Sequence, residues 1–368
     1  MNPNWILVFL SLFMGGVIVT AALMPLARWV ALKIGLVDRP GARKVHARII
    51  PYGGGVAMYF AFLLVLGAAY VAATSDLAPG FMAKFRAEVQ DYLNGLLLAG
   101  TIAKLGALLL GASMMFLLGF FDDRRGMHPR LKIFLQVVAA TLLYATGVRI
   151  TLFVESHGAV SLFFTVVWVV GITNAMNLLD NMDGLSAGVG AIASTILFVV
   201  AFQNGQVFVA AVLAVLVGTL LGFLLFNFSP ASIFMGDAGA LFLGYLLAAL
   251  SMGGEYYKGE GTFLTVVMPV VILAIPIFDT ISVMLIRWKT GAPLMVGDKN
   301  HFSHRLVRLG MTTREAVLTI YLLTAALGLS ATLLARLDTR GGVLVLFHTG
   351  AILLVIGLLE RAAHRRRP

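Results

Sequence analysis

The sequence predicts an all-α protein that crosses a membrane many times, and three observations predict it. Of 368 residues, 60% are hydrophobic and 12% charged, whereas a soluble domain averages about 25% charged and about 45–50% apolar. Mean hydropathy is +0.95. The apolar residues also fall into repeated runs of roughly 20, the length a helix needs to cross a bilayer. Such a chain could not cover a water-facing surface, so a soluble enzyme, a disordered chain and a fibrous protein are excluded. There is no cysteine, which removes disulfides, thiolate metal sites and cysteine nucleophiles.

Taken in order, spans are expected near residues 4–25, 54–74, 96–120, 132–147, 160–178, 186–203, 207–226, 239–253, 262–286, 315–336 and 342–360, eleven in all. The first follows Met1-Asn2-Pro3-Asn4-Trp5. With no basic segment ahead of its apolar run, it reads as an uncleaved span rather than a signal peptide. The fourth and eighth are short enough to be tilted or partly buried. No repeat, low-complexity tract or soluble domain interrupts the series, so residues 1–368 read as one transmembrane catalytic domain. The outer loop 75–95 is expected to hold a short amphipathic helix.

Orientation follows from the cations. Loops 28–53, 121–132, 179–186, 227–238 and 287–314 and the tail 361–368 carry 20 of the 27 lysines and arginines. The opposite side and its span ends carry the other 7. Cytoplasmic loops hold the excess of Lys and Arg, so the N-terminus is expected outside and the C-terminus in the cytoplasm. The same bias accounts for the net charge of +10 without a nucleic-acid partner.

Carboxylates gather on that cationic side. Gly119-Phe120-Phe121-Asp122-Asp123-Arg124-Arg125 places two adjacent carboxylates directly after an apolar span. Like charges side by side repel, and Mg²⁺ favours one or two carboxylates plus substrate phosphates; a solvated helix end with arginine counterions is the competing reading. In Asn174-Ala175-Met176-Asn177-Leu178-Leu179-Asp180-Asn181-Met182-Asp183-Gly184, polar residues recur every three to four positions, on one helical face. Polar groups at membrane depth are costly and normally face a protein interior or a water-filled cavity. Asparagine also serves as interhelical glue, but glue rarely needs two aspartates three residues apart. In Asn227-Phe228-Ser229-Pro230-Ala231-Ser232-Ile233-Phe234-Met235-Gly236-Asp237-Ala238-Gly239, Pro230 ends a helix. Asp237 then stands where the next helix begins, as a plain N-cap or a metal ligand; spacing does not separate the two. The loop Gly297-Asp298-Lys299-Asn300-His301-Phe302-Ser303-His304-Arg305-Leu306 pairs His301 and His304 with two cations. That set suits phosphate better than Zn²⁺, which would want a further protein ligand. There is no P-loop, no Gly-x-Ser-x-Gly and no His-Glu-x-x-His. A membrane site combining Mg²⁺ and phosphates points to phosphoryl transfer involving a lipid.

At these residues the sequence resembles the polyprenyl-phosphate N-acetylhexosamine-1-phosphate transferases of glycosyltransferase family 4, the WecA/MraY-like group. The likeness runs from Asp38-Arg39-Pro40-Gly41-Ala42-Arg43-Lys44-Val45-His46 and Pro51-Tyr52-Gly53-Gly54-Gly55 to the His301/His304 loop, with the motifs in family order. It implies catalytic roles for Asp122, Asp123 and Asp180, and Asp237 as the carboxylate holding Mg²⁺, with Mn²⁺ as an alternative. It implies substrate contacts from Lys44, His46, Lys132, Asn174, Asn177, Asp183, Asn227, His301, His304 and Arg305, and stacking of Phe234 on uracil. The family's His-x-His-His-Arg loop has Ser303 at its middle histidine here. Lacking three consecutive histidines, the chain is nearer the WecA-like branch, which uses simple UDP-N-acetylhexosamines, than the branch using the muramyl-pentapeptide substrate.

The resemblance further implies a multi-pass protein of the cell (cytoplasmic) membrane whose partners are a UDP-N-acetylhexosamine and a polyprenyl (undecaprenyl) phosphate. The expected product is polyprenyl-PP-HexNAc, with GlcNAc as the expected sugar, in the first membrane step of a cell-wall or surface-polysaccharide pathway. A homodimer is common in the family. Two other classes compete. An ion-coupled transporter would place its polar groups near the midplane, accessible to both sides, whereas these cluster at one side. A catalytically dead scaffold should have lost acidic motifs, and none is missing. Asp279, two turns before Arg287 and Lys289, reads as a buried structural pair near the site, and Glu155, Glu255 and Glu260 carry no assignment.

Overall fold

A computed structural model describes residues 4–38, 49–74, 101–150, 158–252, 264–293, 300–334 and 337–365. Lys44, His46, Lys299, Glu155, Glu255, Glu260 and the 75–95 loop lie outside the described residues. Thirteen helices are present among those described. They are α1 (Asn4–Lys33), α2 (Gly54–Thr74), α3 (Thr101–Arg125), α4 (Pro129–Ala145), α5 (Gly158–Leu179), α6 (Leu185–Gln203) and α7 (Val207–Asn227). There follow α8 (Gly236–Met252), α9 (Leu264–Ile272), α10 (Ala274–Thr290), α11 (Phe302–Arg308), α12 (Thr313–Leu333) and α13 (Thr339–Arg365). The one sheet among the described residues is a two-stranded antiparallel ribbon, β1 (Val37–Asp38) and β2 (Ile50–Pro51), with Val37 opposite Pro51 and Asp38 opposite Ile50.

Eight of the helices are long and apolar enough to cross a membrane: α1, α2, α3, α5, α6, α7, α12 and α13. The protein is therefore an all-α, multi-pass membrane protein. Three of the eleven expected spans correspond to shorter pieces. α4 and α8 have 17 residues each, and the expected span 262–286 is divided between α9 and α10 at Leu273. Pro276 explains the division, because its ring removes an amide donor and clashes with the carbonyl four residues back, at Ile272. α1 differs in the other direction. It continues through Pro25 to Lys33, with Met24 and Ala31 buried on either side of the proline.

α8 is the centre of the bundle. Every side chain from Ala238 to Ser251 is buried, with α3, α5 and α2 packed around it. α1 lies along α7, and α6 joins α7 to α12. Lipid tails are as apolar as these side chains, so association rests on close backbone approach rather than on burial from water. Gly119 shows how close: a Cβ there would stand 2.2 Å from the Asp237 carbonyl oxygen. Neither backbone can yield, so Gly119→Ala is expected to wedge α3 from α8, at about 1–3 kcal/mol. A lower thermal midpoint in detergent together with reduced activity would bear this out; an unchanged midpoint would not. On the outer surface, Ile6, Leu7, Leu10, Leu344, Phe347 and Leu354 are exposed and apolar, as a lipid-facing surface requires.

Candidate active site

The polar motifs meet at one end of the bundle, each delivered by a helix terminus. Asp122 and Asp123 lie in the last turn of α3, and Lys132 in the first turn of α4. Asn177 ends α5, and Asp180, Asn181 and Asp183 occupy the turn leading to α6. Asp237 opens α8. The short loops 126–128 and 180–184 leave these groups little freedom to separate.

Lys132 sits between two carboxylates. Its Nζ forms an ion pair with Asp122 and donates to Asp237 Oδ2 at 3.1 Å. Asn177 Nδ2 donates to the other Asp237 oxygen at 2.8 Å. Asp122 and Asp237 are themselves within hydrogen-bond reach of each other, and Asp122 Oδ1 also accepts from the Met127 amide at 2.6 Å. Asp123 behaves differently from its neighbour. Its two oxygens accept the Asp237 and Ala238 amides at 2.8 and 3.0 Å, so it caps the N-terminus of α8, where free N–H groups favour an anion. Gly236 permits this approach: its φ is +69°, and a Cβ would lie 2.6 Å from Asp123 Oδ2.

Asp180 stands among these charges. Burial, and then the carboxylates of Asp237, Asp123 and Asp183, push its carboxyl up to about 8. Asp183 Oδ2 accepts the Ala231 amide at 2.9 Å, tying the 180–184 turn to the loop that carries Phe234. Asn227, expected at the substrate, is 3% exposed. Its side chain accepts from the Gly184 amide and donates to the Ile233 carbonyl, each at 2.9 Å, which makes it a framework tie between the same two loops. Asn174 faces Gln136 in a reciprocal amide pair at 2.6 and 3.4 Å and also donates to the Val170 carbonyl at 2.7 Å.

Phe234 pairs its backbone with the end of β2 and the start of α2: its amide donates to the Pro51 carbonyl at 2.9 Å, and its carbonyl accepts from the Gly54 amide at 3.0 Å. The rings of Tyr52 and Phe234 are 6.0 Å apart at 45°. Tyr52 belongs to the Pro51–Gly55 motif, but sequence reasoning gave its ring no role. Its hydroxyl is pushed well above the ordinary range by burial, then by the Asp38 carboxylate to which it is hydrogen-bonded, and further by Asp123 and Asp180. An aromatic residue in a glycine-rich motif was the available signal.

The histidine loop reaches the same end of the bundle through α11. Ser303 Oγ donates to Asn181 Oδ1 at 2.6 Å, joining α11 to the turn that bears Asp180. Arg305 is buried and already engaged, donating to Glu360 at 2.8 Å, the Asn300 carbonyl at 2.5 Å and Ser282 at 2.9 Å. His301 is paired with Asp279, and its ring lies 6.5 Å from that of His304.

Among the described residues, no group of three or more His, Asp or Glu side chains is arranged to cage a metal unaided. The donor set nevertheless fits a hard cation completed by phosphates. Asp122 and Asp237 offer oxygen atoms from adjoining helix ends, and a hard cation such as Mg²⁺ prefers one or two carboxylates plus substrate phosphates.

A membrane-embedded bundle with a crowded acidic end and a nearby cationic loop has the makings of a glycosyl-phosphate transferase, and the comparisons agree. Residues 105–255 match the family described as "Glycosyl transferase family 4". A Bacillus subtilis protein named "Probable undecaprenyl-phosphate N-acetylglucosaminyl 1-phosphate transferase" is 34% identical over 329 residues, covering 88% of this chain and 84% of that protein. The Mycobacterium tuberculosis "Decaprenyl-phosphate N-acetylglucosaminephosphotransferase" is 31% identical over 80% of this chain and 74% of its own length. The Escherichia coli K12 "Undecaprenyl-phosphate alpha-N-acetylglucosaminyl 1-phosphate transferase" is 25% identical over 82% and 77%, respectively. The chain belongs to glycosyl transferase family 4.

Proposed function

We propose that this protein transfers HexNAc-1-phosphate, with GlcNAc as the sugar, from a UDP-sugar to undecaprenyl or a similar polyprenyl phosphate. The observation that carries this reading is the convergence of Asp122, Asp123, Lys132, Asn177, Asp180 and Asp237 from five chain segments. The names of the relatives support acceptor and sugar alike. The excess of Lys and Arg in the loops on this side supports a cytoplasmic orientation for the site, the side on which a nucleotide sugar is available.

In the reaction, an oxygen of the lipid phosphate forms a bond to the β-phosphorus of the donor. The bond from that phosphorus to the bridging oxygen breaks, and UMP leaves with the electron pair. Phosphoryl transfer depends mainly on positioning and charge neutralisation. A phosphate monoester has a second pKa of about 6, so the nucleophile is already mostly dianionic at neutral pH and needs no strong base. Asp123, engaged by two amides, therefore positions Asp237 rather than removing a proton. Lys132 and Asn177 orient the Asp237 carboxylate. Asp237 and Asp122 would hold Mg²⁺, which when bound supplies charge neutralisation for the diphosphate. Phe234 and Tyr52 offer aromatic faces for the uracil, and His301 and His304 serve the sugar-phosphate side.

The test is UMP release by purified protein with undecaprenyl phosphate and Mg²⁺. UDP-GlcNAc, UDP-GalNAc and UDP-MurNAc-pentapeptide are supplied separately. Metal-dependent release with UDP-GlcNAc is expected; silence with all three donors from folded protein would remove the reading. Phe234→Ala is expected to weaken apparent UDP-sugar affinity by about 1–3 kcal/mol, the usual value of stacking a base on an aromatic ring, with a smaller change in kcat. Unchanged affinity would remove the uracil assignment.

A further inference from the structure

We propose that Asp279 is a positioning residue for His301, holding its imidazole as the Nδ1–H tautomer so that Nε2 is the nitrogen left for substrate. The inference rests on His301 meeting substrate, as read above. Asp279 lies in α10, 22 positions before His301, and the two are 1% and 4% exposed. Asp279 Oδ2 is 2.8 Å from His301 Nδ1, and Asp279 Oδ1 accepts the Phe302 amide at 2.5 Å. A carboxylate oxygen only accepts, so the nitrogen facing it must carry the proton. The other ring nitrogen then has its lone pair free or, in the imidazolium, a proton to donate.

A purely structural role for this contact is already filled by others. α11 is anchored by Ser303 on Asn181, and by Arg305 on Glu360, Ser282 and the Asn300 carbonyl. The Phe278 and Phe302 rings, on the residues next to Asp279 and His301, meet edge to face at 5.5 Å. What the bond to His301 adds is the orientation and tautomer of one ring. Carboxylate partners behind metal-ligating histidines typically matter by about 10–100-fold, and the same orienting hydrogen bond sets the scale expected for His301.

Two replacements separate holding from presenting. Asp279→Asn keeps an oxygen for the Phe302 amide but turns an N–H toward His301, inverting the tautomer. His301→Asn keeps a donor for Asp279 and removes Nε2. Asp279→Asn is expected to lower kcat by about 10–100-fold, and to cost no more than about twofold further in the His301→Asn background, as coupled residues do. His301→Asn is expected to keep the wild-type thermal midpoint while losing turnover. An equal loss from Asp279→Asn in both backgrounds would mean a merely structural carboxylate and overturn the proposal, as would wild-type turnover in either single variant. Histidine-selective ¹⁵N spectra, with the His301 signal assigned by its loss in His301→Asn, give a readout independent of activity. Nδ1–H in the wild type, inverted by Asp279→Asn, supports the proposal; Nε2–H in the wild type overturns it. Absence of UMP release from the wild type would count against the proposed reaction, and the spectra would still decide the tautomer.

Discussion

UMP release is expected to fall by about 100-fold or more when Asp237 is replaced by alanine, the scale on which removing one preorganised charge-stabilising group acts. Three groups converge on this side chain: Lys132 at 3.1 Å, Asn177 at 2.8 Å and the neighbouring Asp122. Its loss leaves Lys132 with a single carboxylate and removes half of the oxygen pair proposed for the cation. The fold should tolerate the change, because Asp123 binds the backbone amides of residues 237 and 238 rather than the Asp237 side chain. The expected signature is therefore a wild-type thermal midpoint with almost no turnover. Asp237→Ala turnover within tenfold of wild type would remove Asp237 from the machinery.

The second large effect is on stability. Asp180→Asn is expected to raise the thermal midpoint of the ligand-free protein at neutral pH, by roughly 2–4 °C for each kcal/mol of charge crowding relieved. In the folded protein burial and the neighbouring carboxylates push the Asp180 carboxyl up to about 8, against about 3.9 in an unfolded chain. The folded state therefore binds this proton more tightly. Its stabilising contribution is complete below about pH 4, falls as pH rises, and levels off once pH has passed the folded value. Asparagine carries no such dependence. The two midpoints should nearly coincide at about pH 4 and diverge up to about pH 8, the variant being the more stable. A gap that narrows with rising pH, or none at any pH, would show that Asp180 is not crowded.

The acidic groups were legible in the sequence because each stands where an apolar run stops, and a charge in that place needs a physical reason. Their division of labour was not. Asp122 and Asp123 are adjacent and chemically identical, yet one pairs with Lys132 and the other caps α8, since successive helical side chains point about 100° apart. That the Asn227 side chain bonds both the Gly184 amide and the Ile233 carbonyl, joining two loops, is likewise invisible in a one-dimensional motif. Tyr52 and Glu360 escaped notice because their partners, Phe234 and Arg305, are 182 and 55 positions away.

Composition and the spacing of apolar runs determined by themselves that this is a helical membrane protein, because a spanning segment must satisfy its own backbone polar groups and runs of about 20 apolar residues fit a helix rather than a barrel strand. The cation asymmetry set the expected orientation, and the motif order pointed to the family. Only the tertiary structure decided which carboxylate faces which cation, where the ninth expected span breaks, and that Asp279 holds His301. Those outcomes depend on contacts between segments far apart in the chain, where helix rotation and close backbone approach, as at Gly119 beside Asp237, select one partner among several of the same charge.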